Sequence, residues 1–438
     1  MLPYRIALVA CPLLMLPALV GAQRLSAPTH ALMDESLDVR VRGLPSGGRA
    51  TLRASMRDSA GRSWTAAADF VADARGEIVP ARHAARTGAY VGVDPMGLVT
   101  MMDAADAPGT LRYVPPTLGD VPLGIVLVVN DRVVDSATVV RRFAPPGVRA
   151  LDVREPGGLV GTLFLPVTPA RAPAILAIGR SEGGNSATDV AAQLAAHGFA
   201  TLSVAYFGVE GLPSAIDGIP LEYFDRAIAF LRAQPSVDSS RVGLFGTSKG
   251  AEAALLVAAQ NPGVRAVVAY AASSVAWSCI CTSAERSSWT RAGNLVPSVP
   301  PGRDPAHPAV QGQPQRPSVH YRYRLRDTAA VAKAATPVER IRGPVLLVAG
   351  DSDQLWPSGE MMEQLRARLA FADRPPGDIL LVYPGAGHLI GKSYLPAGST
   401  RIAAGRLETG GSPRANAAAQ ADAWPRALRF LSQALRAQ

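Results

Sequence analysis

A serine stands in a short motif bounded by glycines in the middle of the chain. Residues 246–250 read Gly-Thr-Ser-Lys-Gly, and they follow the apolar run 242–245 and precede an Ala/Leu-rich helical pattern. A serine on a tight turn between a buried strand and a helix has a strained backbone and a raised hydroxyl, and small flanking residues avoid clashes at such a turn. The pattern predicts that Ser248 is a nucleophile for acyl transfer.

An acidic partner is predicted in a loop further along the chain. Residues 344–349 predict a buried strand, and the loop 350–357 after it contains Asp351 and Asp353. The Gly-x-x-Asp spacing at the end of a strand favours Asp353 as the carboxylate that orients a catalytic base. Asp351 remains the alternative, and its other role would be to cap the turn.

One histidine has the position that a general base requires. His388 ends residues 379–388, where a predicted strand breaks into a Pro/Gly loop downstream of the acid. The order Ser, acid, His is the order in which α/β hydrolases carry their triad. The other five histidines lie elsewhere: His30, His83, His197, His307 and His320.

Two backbone N–H groups are expected to bind the oxyanion that forms during acyl transfer. Lys249 would supply the first, because it begins the helix after the serine. The second is expected from the loop 180–184 that follows the strand pattern 173–178. We favour Glu182, with Ser181 as the alternative, and an ordinary strand-to-helix turn is the other interpretation of this loop.

The elements that position these residues divide the chain into two parts. With 438 residues, the chain exceeds what one core usually holds. Short alternating strands and turns over 23–145 predict a β-sandwich domain. Over 146–438, strands alternate with helical patterns, which predicts a mostly parallel sheet flanked by helices, an α/β-hydrolase catalytic domain. An insert at about 277–327, rich in Pro, Arg and aromatic residues, is predicted to shape the substrate pocket.

The first 22 residues have the pattern of a secretory signal peptide. Arg5 precedes the apolar stretch 6–19, and small residues follow it. Because the stretch is shorter than a membrane span, no stable membrane insertion is expected after cleavage. The pattern predicts an exported protein, periplasmic or secreted, and a retained N-terminal anchor is the alternative.

Cysteine and charge content restrict the partners. Cys279 and Cys281 would remain after cleavage, and a disulfide or two free thiols are both open. No second Cys/His pair stands at zinc spacing, so neither a metal nor another cofactor is expected. The formal net charge of +9 comes from arginines spread along the chain. We therefore expect a small-molecule substrate and no nucleic acid.

The chain after residue 22 resembles the family of type I acyl-CoA thioesterases and bile-acid-CoA:amino-acid N-acyltransferases over nearly its whole length. The segments that carry the resemblance are 63–70, 94–98, 205–208, 221–224, the Ser248 motif, the Asp353 loop with Trp356, and 385–388. The resemblance implies an immunoglobulin-like domain before the α/β-hydrolase domain. It also implies triad roles for Ser248, Asp353 and His388.

The implied chemistry is hydrolysis of an acyl thioester through an acyl-enzyme. In the amide-forming members of the family the nucleophile is typically cysteine and the acceptor is glycine or taurine, so the serine here favours water. An exported carboxylesterase or peptidase of the same fold is an alternative function, as is acyl transfer to an amine. A non-enzymatic binding protein is the most distant alternative.

Overall fold

A computed structural model describes residues 22–436 except 169, 282–285, 373, 375, 392–393 and 404. Residues 1–21 of the predicted signal peptide therefore lie outside the described part of the chain. Within that part, no helix combines the length and the apolar character needed to cross a membrane.

Strands dominate the first part of the chain, called the N-terminal β region below. Its elements are β1 (Arg24–Ser26), β2 (His30–Leu32), β3 (Arg40–Arg42), β4 (Arg49–Arg57), β5 (Ser63–Val71), β6 (Thr87–Gly88), α1 (Gly97–Thr100), β7 (Asp103–Ala104), β8 (Val121–Val129) and β9 (Arg132–Arg142). Seven strands form one sheet in the order β2-β9-β8-β4-β5-β6, with β7 paired to β5. Strands β1 and β3 form a separate antiparallel pair.

The sequence of this region explains its sheet. In β4, the alternate residues Leu52, Ala54 and Met56 are buried while the residues between them face outward, as a sheet with one covered face requires. Asn130 and Asp131 join β8 to β9 with φ of 50° and 60°. Two consecutive residues of positive φ make the tight hairpin turn that matches the twist of the strands.

The second part of the chain alternates strands and helices. Its elements are β10 (Arg149–Arg154), β11 (Val160–Leu165), β12 (Ala172–Ile178), α2 (Thr188–Ala196), β13 (Ala200–Ala205), β14 (Ile219–Pro220), α3 (Glu222–Ala233), β15 (Val237–Thr247), α4 (Lys249–Ala258), β16 (Val264–Tyr270), β17 (Trp289–Arg291), β18 (Asn294–Leu295), α5 (Pro317–Arg324), α6 (Thr328–Ala334), a 3-10 turn (Val338–Arg340), β19 (Val345–Gly350), α7 (Ser358–Phe371), β20 (Ile379–Tyr383), β21 (Arg401–Ile402), β22 (Leu407–Glu408) and α8 (Pro413–Ala434). We propose the domain boundary in 143–148, because this segment connects the two large sheets.

The central sheet has eight strands in the order β10-β11-β13-β12-β15-β16-β19-β20. β10, β11 and β13 pair antiparallel, and the strands from β13 to β20 pair parallel. Helices cover both faces: Leu244 packs in the cluster that includes residues of α3, α4 and α7. Its neighbour Phe245 packs in the cluster that includes residues of α2 and α8. Because parallel strands end at the same edge, their C-terminal loops come together.

Candidate active site

Ser248 lies on the sharp turn between β15 and α4, with φ of 58° and ψ of −121°. A Cβ on Gly246 would lie 2.5 Å from the backbone oxygen of Gly250. A Cβ on Gly250 would lie 2.2 Å from the backbone oxygen of Gly179, at the end of β12. The two glycines are therefore required because backbone segments, rather than side chains, occupy the space around the turn.

His388 is hydrogen-bonded to both of the other residues that the sequence singled out. Its Nε2 lies 2.9 Å from Oγ of Ser248, and its Nδ1 lies 2.7 Å from Oδ2 of Asp353. All three residues are buried: Ser248 is 4% exposed, Asp353 1% and His388 2%. Since water is largely excluded, the electrostatic interactions along this chain of hydrogen bonds are stronger than they would be at a surface.

The Asp353 carboxylate is held on both oxygens. Oδ1 accepts hydrogen bonds from the backbone N–H groups of Leu355 and Trp356, and Oδ2 accepts one from Oγ of Ser358. The Trp356 ring also packs edge-on against His388 at 6.0 Å between ring centroids. These contacts fix the direction in which the carboxylate faces the imidazole.

Asp351, the alternative acid, lies elsewhere. Its Oδ1 accepts hydrogen bonds from the Gly385 N–H at 2.7 Å and from Oγ of Ser352 at 2.9 Å. Asp351 is exposed. The side chain therefore ties its own loop to the loop that leads to His388.

The loop after β12 lies beside the serine turn. β12 and β15 are parallel neighbours, with Ile178 opposite Gly246 in the register. Tyr206, which is buried, donates its hydroxyl hydrogen within this loop, since its oxygen lies 2.8 Å from the Arg180 carbonyl oxygen and 3.2 Å from that of Gly179. The loop that carries Glu182 therefore starts from a fixed position next to the nucleophile turn.

The Glu182 side chain joins two guanidinium groups. Its Oε1 lies 2.9 Å from Nη2 of Arg180 and also accepts a hydrogen bond from Nη1 of Arg112 in the N-terminal β region. Burial raises the pKa of Glu182, but Arg180 and Arg112 outweigh it and hold that pKa well below its usual range. Arg112 carries no local sequence signal, and sequence reasoning missed it because the contact spans 70 residues.

Lys249 makes a second contact that sequence reasoning missed. Its backbone N–H lies in the first turn of α4, where no intrahelical acceptor exists. Its side chain is buried, and Nζ lies 2.7 Å from Oε1 of Glu252, which is fully buried. The same oxygen accepts hydrogen bonds from Nε1 of Trp289 and the backbone N–H of Trp277. The two tryptophan hydrogen bonds therefore hold the insert against the helix that follows the serine.

A disulfide joins Cys279 to Cys281 in the insert. In the described part of the chain, these two sulfurs and a carboxylate oxygen of Asp217 form a group of metal-type ligand atoms within 4.8 Å of one another. Because the sulfurs are bonded to each other, neither is available as a thiolate ligand in this state.

The strand order of the central sheet, the sharp serine turn after its fifth strand in sequence and the helices on both faces define an α/β hydrolase. The predicted fold class, an α/β hydrolase preceded by a β-rich region, is confirmed. Two sequence matches then identify the family. Residues 219–437 match the C-terminal part of the BAAT/acyl-CoA thioester hydrolase family, and residues 34–155 match its N-terminal region. The chain belongs to this family, as the resemblance indicated, and is an enzyme of the hydrolase class.

Individual relatives agree with this assignment. The Mus musculus acyl-coenzyme A thioesterase 2 is 32% identical over 412 residues, covering 92% of this chain and 87% of the relative. The Rattus norvegicus acyl-coenzyme A thioesterase 1 is 32% identical over 413 residues, covering 92% of this chain and 94% of the relative. Among solved structures, a putative dienelactone hydrolase from Klebsiella pneumoniae is 16% identical with a TM-score of 0.40 over 65% of this chain and 98% of that chain.

The predicted exported location is wrong. Both the Mus musculus and the Rattus norvegicus acyl-coenzyme A thioesterase 2, 32% and 31% identical to this chain, are mitochondrial enzymes by name. The prediction depended on the first 22 residues alone, where a short apolar stretch after one arginine resembles an export signal.

Proposed function

We propose that this enzyme hydrolyses acyl thioesters, with Ser248 as nucleophile, His388 as general base and Asp353 as the orienting acid. The observation that carries the proposal is the continuous hydrogen-bonded chain from Oγ of Ser248 through both nitrogens of His388 to Oδ2 of Asp353. The names of the relatives support a thioester substrate and, more specifically, an acyl-CoA.

The first half of the proposed reaction acylates the serine. Nε2 of His388 accepts the proton of Ser248 Oγ as that oxygen attacks the acyl carbonyl carbon. Asp353 accepts the Nδ1–H hydrogen bond, which keeps Nε2 free to take the proton and stabilises the imidazolium. When the tetrahedral intermediate collapses, the C–S bond breaks, and the sulfur leaves as the thiol after receiving the proton from Nε2.

The second half transfers the acyl group to water. His388 takes a proton from a water molecule, the resulting hydroxide attacks the acyl-enzyme carbonyl, and the bond to Ser248 Oγ breaks. The serine regains its proton from Nε2 and the carboxylic acid leaves. Water is the acceptor we propose, and an amine acceptor would use the same steps with nitrogen in place of the water oxygen.

In both halves the negative charge on the carbonyl oxygen needs hydrogen-bond donors. We propose the backbone N–H groups of Lys249 and Glu182 for this oxyanion hole. The proposal is supported by the position of Lys249 in the first turn of α4 and by the packing of the β12 end against Gly250.

Labelling by a fluorophosphonate probe tests the nucleophile directly. We expect wild type to be labelled, Ser248→Ala and His388→Ala to lose labelling, and Asp353→Asn to be labelled far more slowly than Asp351→Asn. Folded variants, checked by circular dichroism, that are still labelled without Ser248 would contradict the assignment.

A substrate panel then tests the leaving group and acceptor. Acyl-CoA thioesters of several chain lengths, matched p-nitrophenyl esters and peptide amides would be compared by kcat/KM, with glycine or taurine added in parallel reactions. The proposal expects the thioesters to be preferred and free acid to be the product. Preference for esters or amides would indicate a carboxylesterase or peptidase, and an acyl-glycine or acyl-taurine product would indicate amide transfer.

A further inference from the structure

The N-terminal β region contacts the catalytic part of the chain at the loop that carries Glu182. Arg112 lies in the segment between β7 and β8, and its Nη1 donates to Oε1 of Glu182. The Arg112 side chain is 26% exposed and that of Glu182 is 41% exposed. An ion pair with this exposure adds little stability, so its main effect is on geometry rather than on folding.

Two glycines directly after Glu182 give the backbone of this loop conformational freedom. Gly183 and Gly184 follow Glu182 directly, with φ of 80° and 65°. Glycines in the left-handed region have neighbouring conformations of similar energy, and they carry no side chain that could pack. Upstream, the Tyr206 hydroxyl is hydrogen-bonded only as far as the Arg180 carbonyl. Downstream, the Gly184 N–H donates to the carbonyl oxygen of Phe207 at 3.1 Å. The Glu182 peptide therefore lies between two hydrogen-bonded points, and its orientation between them is what a side-chain contact can set.

Arg180 and Arg112 together restrain that peptide. Arg180 lies in the loop itself, so its ion pair with Glu182 moves with the loop. Arg112 belongs to the N-terminal β region, so its ion pair holds Glu182 to a part of the fold outside the loop. A cavity of about 40 Å³ lies beside both arginines and Leu389. The two arginines thus hold Glu182 from the loop itself and from the N-terminal β region.

The same region also holds the segment after His388. Nη1 of Arg141 donates to the carbonyl oxygen of Tyr394 at 2.8 Å. The Ala397 N–H donates to the carbonyl oxygen of Thr100 at 2.8 Å. Both loops that flank the serine thus contact the N-terminal β region, and the Glu182 contact joins two side chains.

We infer that Arg112 is a positioning residue for the oxyanion loop, and that the N-terminal β region contributes to catalysis by holding the Glu182 peptide in place through this ion pair. The inference rests on the proposed function, because it assumes that the Glu182 N–H serves the oxyanion. Arg112 itself does not touch the reacting atoms.

The test compares wild type with Arg112→Gln, Arg112→Lys and the control Arg142→Gln, using a thioester that wild type hydrolyses. Arg142 is a matched control because it forms an ion pair with Asp120 within the N-terminal β region, on its Nε and Nη2. We expect Arg112→Gln to lower kcat by about 10- to 100-fold, since a misplacement near 1 Å can lower a rate that much. KM and the melting temperature should change little, and Arg142→Gln should keep wild-type kcat.

Two further readouts separate positioning from a general structural effect. Arg112→Lys keeps one donor and should recover at least part of the lost kcat. Glu182→Gln keeps the backbone N–H but weakens the ion pair, so it should lower kcat on its own. The double variant Arg112→Gln/Glu182→Gln should be less impaired than the product of the two single losses, because both changes break the same contact.

The outcomes distinguish this inference from the proposed function. If wild-type hydrolysis survives Ser248→Ala, the proposed function is wrong and this inference falls with it. If hydrolysis requires Ser248 but Arg112→Gln keeps wild-type kcat, only the inference is overturned. Equal losses of kcat in Arg112→Gln and Arg142→Gln, or independent losses in the double variant, would also overturn it.

Discussion

Oδ2 of Asp353 lies 2.7 Å from Nδ1 of His388, whereas Asp351, two residues earlier, bonds the backbone of Gly385. The two aspartates lie in the same loop and are the same residue type, but only Asp353 faces the imidazole. Because of this difference in contacts, we expect the Asp→Asn substitution to lower kcat strongly at Asp353 and only slightly at Asp351.

Asp353→Asn should lower kcat by about 10³- to 10⁴-fold, because an amide cannot hold the imidazole in the tautomer that leaves Nε2 free. Asp351→Asn should stay within a few-fold of wild type, since it weakens only a turn contact. Steady-state hydrolysis of one thioester measures both. A larger loss of kcat in Asp351→Asn than in Asp353→Asn would show that Asp351, and not Asp353, orients His388.

Gly250→Ala should abolish activity and lower the melting temperature strongly, because its Cβ would lie 2.2 Å from the Gly179 carbonyl oxygen. Backbone atoms of β12 would have to move away from the serine turn. Gly119→Ala is the control, since the nearest atom to its Cβ would be Thr117 Oγ1 at 3.6 Å. Thermal unfolding and fluorophosphonate labelling check both variants, and a stable, fully labelled Gly250→Ala would contradict the steric argument.

Lys249→Met should destabilise the protein by about 3–5 kcal/mol, because it leaves the Glu252 carboxylate buried without its cation. Lys249→Met/Glu252→Gln should be less destabilised. In the double variant, the neutral amide oxygen at position 252 can still accept hydrogen bonds from the N–H groups of Trp277 and Trp289. Denaturant unfolding compares the two variants. If the double variant is less stable than Lys249→Met, the unpaired charge of Glu252 is not the main cause of the lost stability.

Asp34 gives a pH-dependent prediction. Burial raises its pKa, but hydrogen bonds from His197 and Trp424 outweigh this and lower that pKa below the ordinary value of 3.8. A carboxyl group with a lowered folded-state pKa stabilises the fold above its unfolded pKa, and this contribution disappears as the pH falls through the folded pKa. Asp34→Asn should therefore be less stable than wild type at pH 7, by on the order of 1–3 kcal/mol.

The difference between wild type and Asp34→Asn should shrink as the pH is lowered below about 4. Melting temperatures across this pH range measure it. Asp152→Asn is the control, because Asp152 is an exposed residue of β10. A difference that stays constant with pH would show that the Asp34 charge does not contribute.

The sequence was informative where the signal was local. The Ser248 turn, the strand before Asp353 and the loop before His388 each have a pattern within a few residues, and the chain order of the three predicted that they would meet. The structure brings them within hydrogen-bond distance, while their catalytic roles and the oxyanion donors remain predictions. Parallel pairing supplies the physical reason, since it places the ends of β15, β19 and β20 at one edge.

Other contacts could not be predicted because they depend on how distant elements pack. Arg112 meets Glu182, and Arg141 meets Tyr394, only once the N-terminal β region lies against the second sheet region. An arginine in a loop has the same local pattern whether it is solvated or paired. The prediction of export was wrong for the opposite reason. A local pattern was present at the N-terminus, but a mitochondrial relative contradicts the exported location that it indicated.

The buried Glu252 oxygen restricts which sequences the insert could acquire during evolution. Because Trp277 and Trp289 both donate to it from the insert, a replacement segment of any length would have to present N–H groups at the same two places. A segment that lacked them would leave Oε1 with the Lys249 contact but without these two donors, while Oε2 is already a buried oxygen without a hydrogen-bond partner in the described part of the chain. Divergence of this connection is therefore free in its outer residues and constrained at its two attachment points.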